Sequence, residues 1–269
     1  MNIKLLIIDP QNDFCDLDGA ALPVPGANAD MHRLAKFMKA ASARVSDLIV
    51  TLDSHASIGI ERTPFWMTRE GSPVPAFTVV TEADVRAGTF RPRKPDAEPQ
   101  VIEYLHALEH AGRYQLMVWP VHCVIGTWGH NIHTAVAEEI ASWEAQQLRP
   151  AFRVLKGQNP MTEQYSAVQA EVPLADDVLT HPNHRLIARA RPNGATLLVA
   201  GEAASHCVAA TMEHLFAEMS LEQRREVVIL RDCMSPVTGF EAKAEAFFAR
   251  ARDLGAQVTT SDEALKALS

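Results

Sequence analysis

The sequence predicts an α/β protein whose doubly wound, mostly parallel sheet has helices on both faces. Runs of residues that are predicted to form strands recur along the chain, at residues 4–8, 47–52, 152–155, 196–200, 226–230 and 256–260. The runs at 4–8 and 196–200 are apolar, as strands buried on both faces require. Stretches of helical periodicity alternate with most of these runs, as in βαβ units. Three residues with reactive side chains, Asp9, Lys156 and Cys207, lie just beyond the ends of three of the runs.

Helices are predicted where apolar residues recur at helical spacing, over residues 28–43, 97–111, 131–147, 182–190, 239–254 and 261–268. A further helix is expected after the run at 196–200, with Ser205 as its N-cap and Cys207 in its first turn. Residues 158–166 indicate a turn followed by a capped helical start. Residues 1–269 are interpreted as one domain.

The segment from about 56 to 99 is predicted to be an irregular, proline-rich insertion or lid. Its aromatic residues are Phe65, Trp66, Phe77 and Phe90. One interpretation is that they cover the mouth of a crevice. The other is that they pack the loop onto the fold or into a subunit contact.

The bulk composition excludes several classes of partner. The 269 residues carry a formal net charge of −8 without a basic run, which argues against nucleic acid and anionic membrane surfaces. No apolar run approaches the roughly 20 residues of a membrane span, and residues 1–9 are typical of a first strand. Four widely spaced cysteines fit neither a disulfide framework nor a zinc knuckle, so a cytoplasmic location is expected. A small-molecule substrate is the expected partner. The composition does not decide whether the chain forms a homo-oligomer.

Asp9, Lys156 and Cys207 are candidates for catalysis, because the carboxyl ends of strands in a doubly wound sheet converge on one crevice. The N-terminus of a helix and a nearby lysine should both lower the pKa of Cys207. Taken singly, each residue has a plainer interpretation. Asp9 is then a turn residue, Lys156 a solvated cation and Cys207 a small buried apolar side chain.

A metal site is predicted from Asp53 and His55, which end a strand two residues apart, with His122 as a third ligand. One carboxylate and two imidazoles favour zinc, with iron or manganese as alternatives, over calcium or magnesium. Two further histidines, His130 and His133, are interpreted as the polar face of the helix that follows them.

Five motifs along nearly the whole chain resemble those of the isochorismatase-like cysteine hydrolases, and within that family they are most similar to nicotinamidases. They are Leu-Leu-Ile-Ile-Asp9-Pro-Gln-Asn-Asp-Phe14, Asp53-Ser-His55, Trp119-Pro-Val-His122-Cys-Val-Ile-Gly-Thr127, Lys156-Gly157 with Glu163-Gln-Tyr-Ser-Ala167, and Gly201…Ala203…Cys207-Val208. The resemblance implies the isochorismatase-like hydrolase fold and a cysteine amidohydrolase that acts on nicotinamide or a related small carboxamide in NAD salvage.

The resemblance also implies roles for individual residues. Cys207 would be the nucleophile, Asp9 its base and Lys156 a bridging cation. The N–H groups of Ala203 and Cys207 would form an oxyanion hole, with a cis peptide bond before Ala203. Phe14 and Trp119 would wall the pocket for the substrate ring, and a divalent metal would bind Asp53, His55 and His122.

Some positions depart from the family pattern. Glu202 stands where an aliphatic or small residue is usual, Ser205-His206 precedes the cysteine, and no second histidine lies near Arg62. Two other functions are therefore considered. Isochorismatase-type hydrolysis of a vinyl ether would not need the thiol of Cys207. A non-catalytic binding subunit would be favoured if Asp9, Lys156 or Cys207 were missing, and all three are present.

Overall fold

The computed structural model describes residues 2–268, and this part of the chain contains ten strands and nine α-helices. The strands are β1 (Ile3–Ile8), β2 (Val45–Asp53), β3 (Trp66–Thr68), β4 (Thr78–Val80), β5 (Phe90–Pro92), β6 (Leu116–Val118), β7 (Phe152–Lys156), β8 (Thr196–Gly201), β9 (Val227–Leu230) and β10 (Gln257–Thr259). The helices are α1 (Ala27–Ala41), α2 (Glu82–Arg86), α3 (Glu98–Ala111), α4 (Thr134–Gln147), α5 (His184–Ala190), α6 (Ala209–Ala217), α7 (Leu221–Arg225), α8 (Glu241–Asp253) and α9 (Ser261–Leu268).

The central sheet has six parallel strands in the order β10-β9-β8-β1-β2-β7. The chain moves outward from β1 through β2 to β7, returns to place β8 beside β1, and then moves outward the other way. The order therefore reverses between β1 and β8. In open α/β sheets, ligands bind outside the carboxyl ends of the strands at such a switch point.

The strands of this sheet form where the sequence predicts them. Each of the six predicted strands is one of the six strands of the sheet, and five of the six residues of β1 are fully buried. Helix α1 packs on α4 and α9, while α8 packs on β10 and on the segment that carries Cys207. The predicted fold class is confirmed. No helix in residues 2–268 is long and apolar enough to cross a bilayer.

The prediction that residues 56–99 are irregular is wrong. Strands β3 and β5 form one antiparallel ribbon, and β4 pairs with β6 in a second. Buried side chains from residues 60–118, including Phe65 and Trp66, form an apolar cluster of their own. Three-residue strands are too short to produce a recognisable alternation in the sequence, which explains why the pattern does not indicate them.

Two local predictions are also wrong. No helix forms within residues 158–166, where Glu163 N–H donates to the hydroxyl of Tyr104 and Gly157 N–H donates to the side chain of Gln164. These hydrogen bonds, which are not of the helical type, replace the helical ones there. Helix α4 begins at Thr134, so His130 and His133 precede it and are not part of its polar face.

The close approach of β8 to β1 requires a glycine at position 201. Gly201 has a φ of +120°, and a Cβ there would lie 1.9 Å from the carbonyl oxygen of Ile8. We expect Gly201→Ala to lower the free energy of unfolding by more than about 3 kcal/mol. Gly71 is the control, because it also has a positive φ but a Cβ would meet no atom within 4 Å. Gly71→Ala should cost about 1 kcal/mol. The free energies of unfolding are measured in urea, and equal losses in the two variants would contradict the proposed clash.

Candidate active site

The sheet brings the three candidate catalytic residues together at the switch point. Asp9 directly follows β1, Lys156 ends β7 and Cys207 lies six residues beyond Gly201, the last residue of β8. The neighbouring strands are in register at these ends, since Ile8 pairs with Gly201 and Asp53 pairs with Lys156. Parallel strands in register deliver the side chains that follow them to the same edge.

The ammonium group of Lys156 is the centre of the site. Its Nζ lies 2.8 Å from Asp53 Oδ1, 3.1 Å from Asp9 Oδ2 and 3.5 Å from Cys207 Sγ, and it also donates to the carbonyl of Gln164 at 3.0 Å. Burial alone would lower the pKa of Lys156, but the carboxylates of Asp53 and Asp9 outweigh it and raise that pKa well above its ordinary value. Lys156 is therefore a fixed cation.

Asp9 is held rigidly and is wholly buried. Its φ is +46°, its N–H donates to the carbonyl of Thr51, and its Oδ1 accepts a 2.5 Å hydrogen bond from the Thr51 hydroxyl. Burial raises the pKa of Asp9, with Lys156 opposing the rise and Asp53 adding to it. A carboxylate with a raised pKa is a stronger base, which suits it to take a proton from a neighbouring thiol.

The thiol of Cys207 is within hydrogen-bonding contact of Asp9 and is 6% exposed. Burial raises the pKa of Cys207 well above its ordinary value, and Lys156 offsets only part of the rise. The prediction of a lowered pKa is therefore wrong for this arrangement. Residues Ala204–Val208 form one π-helical turn that leads into α6, and its N-cap is Ala203, not Ser205. A protonated thiol needs a base, and Asp9 is beside it.

The backbone before this turn offers a hydrogen-bond donor. The peptide bond between Glu202 and Ala203 is cis, in agreement with the resemblance. Ala203 N–H donates to no acceptor within residues 2–268, although Ala203 is buried. A buried donor without a partner beside a nucleophile is available to a ligand oxygen.

Asp53, His55 and His122 form a group of three buried side chains whose ligand atoms all lie within 4.8 Å of one another. Asp53 Oδ2 lies 2.8 Å from His55 Nε2 and 3.4 Å from His122 Nε2. Burial, followed by the charge of Arg62, lowers the pKa of His122 to about 4 and keeps its imidazole neutral. A Cβ at Gly157 would lie 2.5 Å from His55 Cε1, so the glycine leaves this group its space.

Neighbouring groups orient the two imidazoles. His122 Nδ1 lies 2.8 Å from the carbonyl of Pro120, and His55 Nδ1 lies 3.4 Å from Glu61 Oε1. Fully buried Arg62 donates to Glu61 and to the His122 carbonyl. In both rings the remaining nitrogen, Nε2, faces Asp53, as metal-binding histidines require. The donor set therefore fits a divalent metal. The sequence pattern does not indicate Glu61 or Arg62, since charged loop residues are usually exposed.

A small cavity of about 30 Å³ opens beside Cys207. Its walls include the predicted ring-pocket residues Phe14, Trp119 and Ala203, together with Asp53, His122, Glu163, Tyr165 and His206. The indole N–H of Trp119 lies 3.2 Å from Glu163 Oε2 and 3.1 Å from the hydroxyl of Tyr165. The wall is thus aromatic with a few polar atoms.

The sequence pattern does not indicate that two residues of this wall, Glu163 and His206, belong to the site. Burial, followed by the charge of Glu61, raises the pKa of Glu163 well above its ordinary value. Burial lowers the pKa of His206 to about 3, so its imidazole is neutral. Glu163 belongs to a quoted motif and His206 directly precedes Cys207, but nothing in the sequence shows that they are buried beside a cavity.

The remaining histidines near the site stand apart from the metal group. His130 Nε2 lies 2.9 Å from the hydroxyl of Ser54, and His133 Nε2 lies 2.9 Å from Asn28 Oδ1. Each therefore has a structural partner.

The fold is shared with proteins of known structure. Yeast nicotinamidase superimposes with a TM-score of 0.64 and 19% identity, covering 96% of this chain and 99% of its own. The pyrazinamidase of Pyrococcus horikoshii, solved in complex with zinc, has a TM-score of 0.56 and 19% identity, covering 97% and 99%. An isochorismatase family protein from Desulfovibrio vulgaris has a TM-score of 0.51 and 21% identity, covering 99% and 98%.

The chain has the isochorismatase-like hydrolase fold. The resemblance stated from the motifs is thereby confirmed at the level of the fold. Comparison with protein-family models and with curated proteins gives no match.

The metal site predicted at Asp53, His55 and His122 can be tested directly. Protein purified without chelator should contain about one zinc, iron or manganese ion per chain, and His122→Ala should lose it because one of three ligands is gone. The matched control is His130→Ala, which changes a nearby histidine outside the group. Metal analysis of both variants is the measurement. An unchanged metal content in His122→Ala would remove that residue from the site.

Proposed function

We propose that this protein is a cysteine amidohydrolase that converts nicotinamide or a related small carboxamide into the acid and ammonia. The observation that supports it most directly is the contact of Lys156 Nζ with both Asp9 Oδ2 and Cys207 Sγ at the switch point of the sheet. The shared fold with nicotinamidases and a pyrazinamidase adds support. A small-molecule substrate and a cytoplasmic location belong to the same proposal.

In the proposed reaction, Asp9 takes the thiol proton as Cys207 Sγ attacks the amide carbon. The carbonyl oxygen becomes an oxyanion beside the unpaired N–H of Ala203, and each such donor stabilises it by about 3–4 kcal/mol. Asp9 then gives the proton to the leaving nitrogen, the C–N bond breaks and ammonia leaves. Water hydrolyses the thioester, which releases the acid and restores the thiol.

Lys156 has two tasks in this scheme. Its charge stabilises the thiolate that forms after proton transfer, and it fixes Asp9 within reach of the sulfur. A divalent metal held by Asp53, His55 and His122 would supply a Lewis acid that orients a substrate atom or a water.

The nucleophile assignment is tested by comparing two cysteines. We expect Cys207→Ala to lower ammonia release from nicotinamide at least about 10³-fold, because no thioester can form. Cys233→Ala is the control. This cysteine is also buried, but its thiol donates a hydrogen bond to Asp232, away from the site. Its activity should stay close to that of the unmodified protein. Iodoacetamide labelling of Cys207 should track the loss of activity.

No ammonia from any of a panel of carboxamides, with the metal bound, would contradict the proposed function. Inactivation that follows labelling of another cysteine would contradict only the choice of nucleophile.

The insertion is proposed to control access to the cavity. The cavity has room for about one or two waters, so an aromatic amide enters only if part of the wall moves. Phe77, which is 54% exposed, lies edge-on against Trp119 with ring centroids 5.8 Å apart. Its backbone N–H donates to the carbonyl of Val118 at 2.6 Å. Phe65 and Trp66 lie in the separate core of the insertion and do not line the cavity.

We expect Phe77→Ala to change the ratio of kcat/KM for a large and a small carboxamide by about 3–10-fold, with stability altered by less than about 0.5 kcal/mol. Phe65→Ala is the comparison, because it removes a buried ring and should cost about 3–5 kcal/mol without changing that ratio. An identical ratio in Phe77→Ala would contradict control of access by this residue.

A further inference from the structure

The carboxyl group of Glu202 is fully buried immediately before the turn that carries Cys207. Its Oε2 accepts a hydrogen bond from Ser235 N–H at 3.1 Å, while its Oε1 is buried without a conventional hydrogen-bond donor. The side chain of Asp30, from α1, is in hydrogen-bonding contact with Glu202. Asp30 Oδ2 also accepts a 2.5 Å hydrogen bond from the hydroxyl of Ser235.

Two buried carboxyl groups in contact cannot both be charged, because burial and mutual repulsion act in the same direction. A single proton between them removes the repulsion and supplies the hydrogen between the two side chains. Asp30 is paired with Arg33, so Asp30 is the charged member and Glu202 carries the proton.

The pair lies where the turn with Cys207 is fastened to the segment from Ser235 to Val237. Ala204 N–H donates to the carbonyl of Ser235 at 2.9 Å, and Val237 N–H donates to the hydroxyl of Ser205 at 3.0 Å. The hydrogen bond from Ser235 to Glu202 is the third connection, and Glu202 N–H donates to the carbonyl of Ile8 next to Asp9. Displacing Glu202 would therefore move the backbone on both sides of Ala203.

We propose that Glu202 shares a proton with Asp30 and that this carboxyl–carboxylate pair is a positioning device, which holds Ala203 N–H and Cys207 in place. The role in positioning rests on the proposed function, whereas the shared proton does not. Glu202 touches no reacting atom, so it acts through Ser235 and through its own backbone.

The charged and titratable groups that face Glu202 set the direction of its pH dependence. They are Asp30 and Arg33 from α1, and Cys15 and Asp16 from the segment after β1. Burial, followed by the charge of Asp30, raises the pKa of Glu202 well above its ordinary value of 4.5. A group with a raised pKa in the folded state gives stability that is fully present below its unfolded pKa. That stability is lost as the pH rises towards the folded pKa.

The shared proton is tested by unfolding in urea from about pH 5 to about pH 8, with no substrate. Glu202→Gln keeps the shape of the protonated side chain but cannot ionise. The ratio of unfolding constants, unmodified protein over Glu202→Gln, should therefore rise with pH by up to about tenfold per pH unit. Asp30→Asn removes the neighbouring charge and supplies an amide donor to Glu202, so it should reduce this slope and leave the part that burial causes. The exposed Glu245 is the control, and Glu245→Gln should give a flat ratio. A flat ratio for Glu202→Gln would overturn the shared proton.

Positioning is tested by the rate at which iodoacetamide modifies Cys207, measured by mass spectrometry. At pH 6, Glu202→Gln should react within about twofold of the unmodified protein, while Glu202→Ala should react about tenfold faster because its turn opens more often. Above pH 8 the unmodified protein should react faster than Glu202→Gln. Identical rates in all variants at every pH would overturn the positioning role.

If Glu202→Ala does not fold, Glu202→Gln and Asp30→Asn still decide both questions. Ammonia release is measured separately on the same proteins. Its complete absence in every variant would contradict the proposed function and leave the shared proton standing.

Discussion

The buried ammonium of Lys156 is the group on which the rest of the site depends. Lys156 is 2% exposed, and a cation removed from water is tolerated only with nearby negative partners. Asp53 and Asp9 provide them from the ends of β2 and β1. Each of the three charges would be costly without the others, so the ends of three strands are held in one arrangement by electrostatics as well as by the hydrogen bonds of the sheet.

Asp53 joins the two halves of the site. Its Oδ1 binds the ammonium beside Cys207, while its Oδ2 faces both His55 and His122. Burial alone would raise the pKa of Asp53, but the charges of His55 and Lys156 hold it well below its ordinary value. A change of charge at the metal group therefore changes the electrostatic potential at the Lys156 ammonium. Through Lys156, it also affects Asp9 and the thiol of Cys207.

The central sheet could be predicted from the sequence because strands buried on both faces require continuous apolar runs, such as residues 4–8. The common position of the candidate catalytic residues could also be predicted, since parallel strands place Asp9, Lys156 and Cys207 at one edge of the sheet. The pKa of Cys207 could not, because the balance between burial and the charge of Lys156 depends on how completely the finished fold excludes water. The burial of Arg62 is likewise decided by packing of the insertion.

The pairing of β1 with β8 has a consequence for how this protein folds. The register that sets Ile8 against Gly201 joins segments almost 200 residues apart in the sequence, so the entropy of closing that long loop is lost before the contact is made. Contacts of high sequence separation are typically slow to form. Asp9 and Cys207 therefore come into contact only after β1 and β8 have paired. The reactivity of the Cys207 thiol towards iodoacetamide, as far as it depends on contact with Asp9, would report completion of the sheet. Far-ultraviolet circular dichroism would report helices that form earlier.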